Sequence, residues 1–169
     1  MQYDNLPKEL RDNGKLCVWK YEPRKGKTKP GKVPYQISGK RAQSNNEHTF
    51  SNYSDAVAVV SHYDGLGLGI FRGFSAVDVD HCVNTDGTLT AIGQSIAEIF
   101  TGCYIEISPS GTGLRVIFKA SGFQYDSAKY YINNSKLGVE VYVYGATNKF
   151  VTVTGNLSHR KFRITQTVH

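Results

Sequence analysis

This 169-residue sequence is poor in cysteine and contains no long apolar run. Its three cysteines, Cys17, Cys82 and Cys103, form no C-x-x-C pair, which argues against a disulfide framework and a thiolate zinc site. The first residues are polar, and no apolar stretch approaches the length that crosses a bilayer. We therefore expect no signal peptide and no membrane partner, a cytoplasmic location, and reduced cysteines that mostly contribute to packing.

Acidic side chains are also in the minority. The sequence has 20 lysines and arginines against 14 aspartates and glutamates, a net charge of +6 and a pI near 9.2. This modest positive charge favours polyanionic partners such as nucleic acid. The length suits one domain with its own core, and no repeat or linker divides it, so we expect a single domain over residues 1–169.

The apolar pattern predicts both strands and helices. Strands are predicted at residues 15–20, 104–108, 114–119, 138–144 and 150–154, with a brief edge pairing at 33–35. Helices are predicted from a cap at 51 or 52 to residue 60 and over residues 89–100. Two alternating runs, 66–70 and 75–80, surround a turn near Gly73 and predict a hairpin. Residues 22–40 are interrupted by proline and glycine and predict a loop.

Three carboxylates occupy strand positions that would share a face if their strands belong to one sheet. Side chains two residues apart in a strand point the same way, so Asp78 and Asp80 stand together, and Glu140 lies on the polar face of a later strand. Carboxylate oxygens suit Mg²⁺ or Mn²⁺ and leave positions for water and substrate phosphates. The alternative is a solvated pair on an exposed face. We favour catalytic metal ligands, because aspartate is depleted in strands.

The turn before Arg115 is rich in hydroxyl groups and glycine. Such a turn can form a concave anion site, and a guanidinium matches phosphate oxygens bidentately. An ordinary hairpin turn followed by an exposed arginine would have the same sequence. The predicted nucleotide-binding residues are Ser108, Ser110, Gly111, Thr112, Gly113 and Arg115.

Lysines are interspersed with glycine and proline between residues 20 and 41. They would track the phosphates of a template, and tyrosine rings would stack on bases. A solvated loop is an equally good interpretation of this composition. The predicted nucleic-acid contacts are Lys20, Lys25, Lys27, Lys29, Lys32 and Tyr35.

Taken in order, these motifs resemble the archaeo-eukaryotic-type primase-polymerases, and among them the N-terminal domains of phage and plasmid replication proteins. The resemblance rests on the D-x-D strand at 77–80, the run at 106–114, and the strands at 139–142 and 150–155. It implies an α+β fold, with an RRM-like, mostly antiparallel sheet, helices on one face and an N-terminal α/β portion. It also implies Mg²⁺- or Mn²⁺-dependent nucleotidyl transfer from NTPs or dNTPs on a single-stranded DNA template, with Ser110 contacting the triphosphate.

One residue departs from this family pattern. Histidine usually stands where this chain has Arg115, and arginine keeps a cation but cannot transfer a proton at ordinary pH. A non-catalytic, nucleic-acid-binding relative is therefore the second hypothesis. A glycosyltransferase is the third, since D-x-D with Mn²⁺ also holds nucleotide-sugars. We also expect a longer replication protein, with a helicase module as a partner.

Overall fold

The computed structural model describes residues 1–120, 124–126, 128 and 133–158, and its helices and strands confirm an α+β fold. The strands are β1 Leu16–Glu22, β2 Gly31–Tyr35, β3 Gly65–Gly69, β4 Phe74–Val79, β5 Tyr104–Ile107, β6 Leu114–Lys119, β7 Asn133–Asn134, β8 Val139–Tyr142 and β9 Phe150–Val153. The α-helices are α1 Lys8–Asn13, α2 Tyr53–Val59 and α3 Ala91–Ile99. Short 3-10 turns lie at Tyr3–Asn5, Glu47–Thr49 and Val60–His62.

The first sheet has the strand order β2-β1-β3-β9, and each pair is antiparallel. β1 buries four consecutive residues. β2 lies at the edge of the sheet, where the missing N–H group of Pro34 costs no hydrogen bond between strands. The strand predicted at 15–20 and the edge pairing predicted at 33–35 are both confirmed.

The second sheet has the order β5-β6-β4-β8-β7, with β4 at its centre. The predicted hairpin of residues 66–70 and 75–80 is wrong, because β3 pairs with β1 and β9 whereas β4 pairs with β6 and β8. Arg72 and Gly73, both with positive φ, turn the chain from one sheet into the other. Alternation of apolar residues identifies a strand but carries no information about its partner strand, so it could not predict how the strands divide between two sheets.

Two of the helices match their predictions. α2 begins after Asn52, whose side chain accepts a hydrogen bond from the Asp55 N–H at 2.9 Å, and α3 begins after Thr90. α1 was not predicted, because its six residues bury Leu10 alone and show no apolar period. In the described part of the chain, no helix combines the length and the apolar character needed to cross a membrane.

Two apolar clusters account for most of the core and orient the polar face of the second sheet. One includes Leu16, Leu66 and Phe74 and joins both sheets to the N-terminal helices. The other includes Val77 and Val79 and packs against α3. Because the valines of β4 point toward α3, the intervening aspartate points the opposite way.

Candidate active site

Asp78 is the centre of a polar row that crosses the second sheet. Its direct cross-strand partners are Arg115 on β6 and Glu140 on β8. Farther out, Glu106 on β5 stands opposite Arg115, and Asn133 on β7 stands opposite Glu140. Directly opposite side chains on neighbouring strands lie within interaction distance of each other. Antiparallel pairing therefore brings together five polar residues that are far apart in the sequence.

The row borders a cleft of about 530 Å³ that is lined by residues of both sheets. This volume lies within the range of small-molecule sites, about 300 to 1,000 Å³. The second sheet contributes Asp78, Asp80, Arg115, Glu140 and Tyr142, and the first sheet and its loops contribute Tyr21, Arg24, Lys32, Lys149 and Thr152, among others. The three predicted carboxylates thus line the same cleft.

Arg115 is buried and paired, which differs from the exposed arginine of the alternative interpretation, and its nucleotide-binding role stays a prediction. Its side chain is 4% exposed, its Nε lies 3.1 Å from Oδ1 of Asp78, and its Nη2 donates to Oδ2 at 3.2 Å. Nη1 donates to the backbone oxygen of Thr152 at 3.0 Å and also to its hydroxyl group. Since Thr152 belongs to β9, the guanidinium links the two sheets and balances the charge of Asp78. The alternation of β6 predicted the face of Arg115 but not its burial.

Asp78 and Asp80 offer oxygens that fit a divalent cation. Oδ1 of Asp78 is buried and paired with Nε of Arg115 at 3.1 Å, and the Asp80 carboxylate is exposed at the end of β4. Mg²⁺ is commonly held by one or two carboxylates together with waters and substrate phosphates. Within residues 1–120, 124–126, 128 and 133–158, no three acidic, histidine or cysteine side chains are close enough to hold a metal. The carboxylates of Asp78 and Asp80 fit the protein's share of a Mg²⁺ site of this kind.

Both carboxylate oxygens of Glu140 already accept hydrogen bonds. Oε1 accepts from the Asn133 side-chain amide and Oε2 from the Tyr142 hydroxyl group, each at 2.6 Å. Burial and the bond to Glu140 raise the pKa of Tyr142, so the phenol remains a donor. Glu140 lines the cleft but is held toward Asn133 and Tyr142.

Glu106 was not predicted as a site residue, yet it is the most buried carboxylate of the row. It accepts hydrogen bonds from the N–H groups of Thr154 and Gly155 and from the Tyr104 hydroxyl group at 2.7 to 3.0 Å. Desolvation raises its pKa to about 7, against the opposing effect of these donors and of the Arg115 charge. A charged residue between apolar neighbours in a strand is the signal that would have identified it.

The turn between β5 and β6 does not line the cleft. The hydroxyl groups of Ser108, Ser110 and Thr112 are linked in a chain at 3.0 Å, and Ser108 also accepts from the Gly113 N–H. The turn lies against the end of β4, because a Cβ on Gly113 would be 2.6 Å from the Val79 oxygen. Gly111 lines a separate cavity of about 720 Å³ beside α3. The nucleotide-binding role of this turn stays a prediction.

Among the predicted nucleic-acid contacts, Lys32 is the residue that lines the cleft. Lys20 lies over the Tyr63 ring, 4.9 Å from its centroid, and the Tyr35 hydroxyl group donates to Glu22. The remaining three, Lys25, Lys27 and Lys29, are exposed in the loop between β1 and β2. Lys149, which precedes β9, lines the cleft and had no distinguishing signal in the sequence.

A comparison with known proteins identifies one relative of this chain. A DNA primase-polymerase of Nitratiruptor phage NrS-1 is 28% identical over 157 residues, which make up 89% of this chain and 20% of the relative. The chain thus spans about a fifth of the length of the curated relative that it matches, and no family model matches it. The similarity supports a primase-polymerase relationship and confirms the resemblance that the motifs indicated.

Proposed function

We propose that this chain, a relative of the phage primase-polymerases, carries out metal-dependent, template-directed nucleotidyl transfer as a DNA primase and polymerase. The observation that carries the proposal is that Asp78 and Asp80 line the same cleft as basic residues of the first sheet and its loops. The relative from Nitratiruptor phage NrS-1 is a DNA primase-polymerase by name, which supports the same activity. We place the domain in a longer replication protein of the cytoplasm, with an NTP or dNTP and single-stranded DNA as substrates and a helicase module as partner.

Each acidic side chain has a separate part in this proposal. Asp78 and Asp80 would hold Mg²⁺ or Mn²⁺, which supplies positive charge for the in-line attack of a 3′-hydroxyl group on the triphosphate. Arg115 holds Asp78 in a fixed orientation through two contacts. Glu140 is kept in position at the border of the cleft by Asn133 and Tyr142 and would complete the acidic side of the site.

The test is primer extension and de novo priming with Mg²⁺ or Mn²⁺. Asp80→Asn removes an exposed charge with little effect on folding, and Asp78→Asn removes the partner of a buried arginine. Asp12→Asn is the matched control, since Asp12 is partly exposed on α1 and pairs with Lys8. We expect synthesis to disappear in both cleft variants and to persist in the control. Undiminished synthesis by Asp80→Asn would refute the proposal.

The second candidate is a non-catalytic protein that binds single-stranded nucleic acid. The observation that favours it is the buried guanidinium of Arg115, which already neutralises Asp78 and so reduces its demand for a metal. Under this alternative the native protein binds a labelled single-stranded oligonucleotide with salt-dependent affinity but extends no primer with either metal.

A further inference from the structure

The three carboxylates of the cleft are held in place in different ways. Asp78 is paired with the buried guanidinium of Arg115, and both oxygens of Glu140 accept hydrogen bonds from side chains. The Asp80 carboxylate is exposed, and none of the described residues donates a hydrogen bond to it. The position of the Asp80 side chain therefore depends on its backbone.

The backbone of Asp80 lies where β4 ends and the chain turns away. Its N–H group donates to the Gly138 oxygen at 2.8 Å, which continues the antiparallel pairing of Val79 with Val139 by one residue. The next residue, His81, has a φ of 52°, in the left-handed region that residues other than glycine seldom adopt. The hydrogen bond to Gly138 thus holds Asp80 at the point where the strand stops.

Gly138 also packs directly against Asp80. A Cβ at position 138 would stand 3.3 Å from the Asp80 backbone oxygen and 3.4 Å from the Asp80 Cβ. Carbon atoms attract one another best at about 3.5 to 4.0 Å, so an added methyl group would push Asp80 away. The φ of Gly138 is 66°, again in the left-handed region. The close approach and the backbone conformation both favour glycine at this position.

The turn that contains Gly138 is stabilised by its own hydrogen bonds. The Leu137 N–H group donates to the backbone oxygen of Asn134 at 3.1 Å and to its side-chain oxygen at 3.3 Å. Glu140 follows two residues after Gly138, and its carboxylate accepts a hydrogen bond from β7. One short hairpin, formed by β7 and β8, therefore contacts both the backbone of Asp80 and the side chain of Glu140.

We propose that Gly138 is a positioning residue, which holds the Asp80 carboxylate where it binds a divalent cation together with Asp78. The proposal rests on the proposed function, since it takes Asp80 as a metal ligand. Contacts that orient a metal ligand commonly change metal affinity by about 10- to 100-fold when they are altered. A side chain at position 138 should therefore weaken metal binding by displacing Asp80, although every ligand is still present.

The test measures Mn²⁺ binding to the whole chain by electron paramagnetic resonance, in which the signal of free Mn²⁺ decreases on binding. Gly138→Ala is compared with Gly145→Ala, because Gly145 has a similar φ of 80° but open space where its Cβ would stand. Both substitutions introduce backbone strain, and the first alone also meets Asp80. We expect an affinity about tenfold lower in Gly138→Ala and the native affinity in Gly145→Ala.

Gly138→Asn separates the contact with Asp80 from the backbone strain. Asparagine tolerates the left-handed region better than alanine, but it has the same Cβ atom. We expect Gly138→Asn to recover part of the urea midpoint that Gly138→Ala loses, while its Mn²⁺ affinity stays as low as that of Gly138→Ala. Native Mn²⁺ affinity in Gly138→Asn would assign the effect to strain and overturn the positioning role.

The outcomes separate this positioning role from the proposed activity. Equal Mn²⁺ affinities in Gly138→Ala and Gly145→Ala would overturn the role of Gly138 and leave the proposed function intact. If Gly138→Ala weakens Mn²⁺ binding as expected but the native protein makes no DNA, the positioning role stands and the polymerase activity fails. An unchanged Mn²⁺ affinity in Asp80→Asn would refute the metal-binding role of Asp80, on which both proposals depend.

Discussion

The buried carboxylate of Glu106 makes stability depend on pH in a direction unusual for an acidic residue. Desolvation raises its pKa to about 7 from an ordinary value of 4.5. Between these two pH values the folded protein keeps the proton that the unfolded chain has released. Stability therefore falls as pH rises through this window, and the difference corresponds to about 3 kcal/mol.

Glu106→Gln removes the titration while keeping the shape of the side chain. A glutamine amide resembles a protonated carboxyl group, because each has one carbonyl oxygen to accept from the Thr154 and Gly155 N–H groups. We expect similar free energies of unfolding for the two proteins near pH 4.5. At pH 8 the variant should be more stable than the native protein by about 3 kcal/mol.

Urea denaturation from pH 4.5 to 8 measures this difference directly. Glu98→Gln is the control, because Glu98 is exposed on α3. The free energy of unfolding of this control variant should follow that of the native protein from pH 4.5 to 8. A native protein that gains stability relative to Glu106→Gln as pH rises would contradict this expectation. That result would mean that the N–H and O–H donors around the carboxylate outweigh its desolvation.

Two further predictions concern the fold. Asn52→Ala removes the cap of α2 and should lower the free energy of unfolding by about 1 kcal/mol in urea denaturation. Asn52→Asp keeps the acceptor and should stay close to the native value. A native free energy of unfolding in Asn52→Ala would contradict the capping role. All three cysteines are free and buried, and burial raises their pKa values, to about 11 for Cys82. A thiol reagent at neutral pH should therefore react with them only after unfolding, and fast modification of the native protein would contradict this placement.

Much of the secondary structure was predictable because its signals are local. The apolar alternation of β4 and β6, the cap at Asn52 and the periodicity of α3 depend on residues within one or two turns of each other. The common face of Asp78 and Asp80 follows from the same alternation. α1 was missed, since a six-residue helix with one buried side chain has too short a pattern.

Local patterns could not predict which strands pair with each other in the two sheets. The chain turns near Gly73 into a second sheet instead of a hairpin, and β9 joins the first sheet beside β3. This placement buries Arg115 against Thr152 and brings Lys149 to the cleft. The environment of Glu106 likewise depends on backbone N–H groups that lie nearly fifty residues away in the chain.

The sequence by itself determined most of the strands, the helices α2 and α3, and the common face of Asp78 and Asp80, since neighbours along the chain decide these features. Tertiary structure alone decided that Arg115 pairs with Asp78, that Glu140 is held by Asn133 and Tyr142, and that Lys32 and Lys149 line the same cleft as the carboxylates. The physical reason is that pairing of distant strands and burial of a charge depend on the competition among all strands for partners.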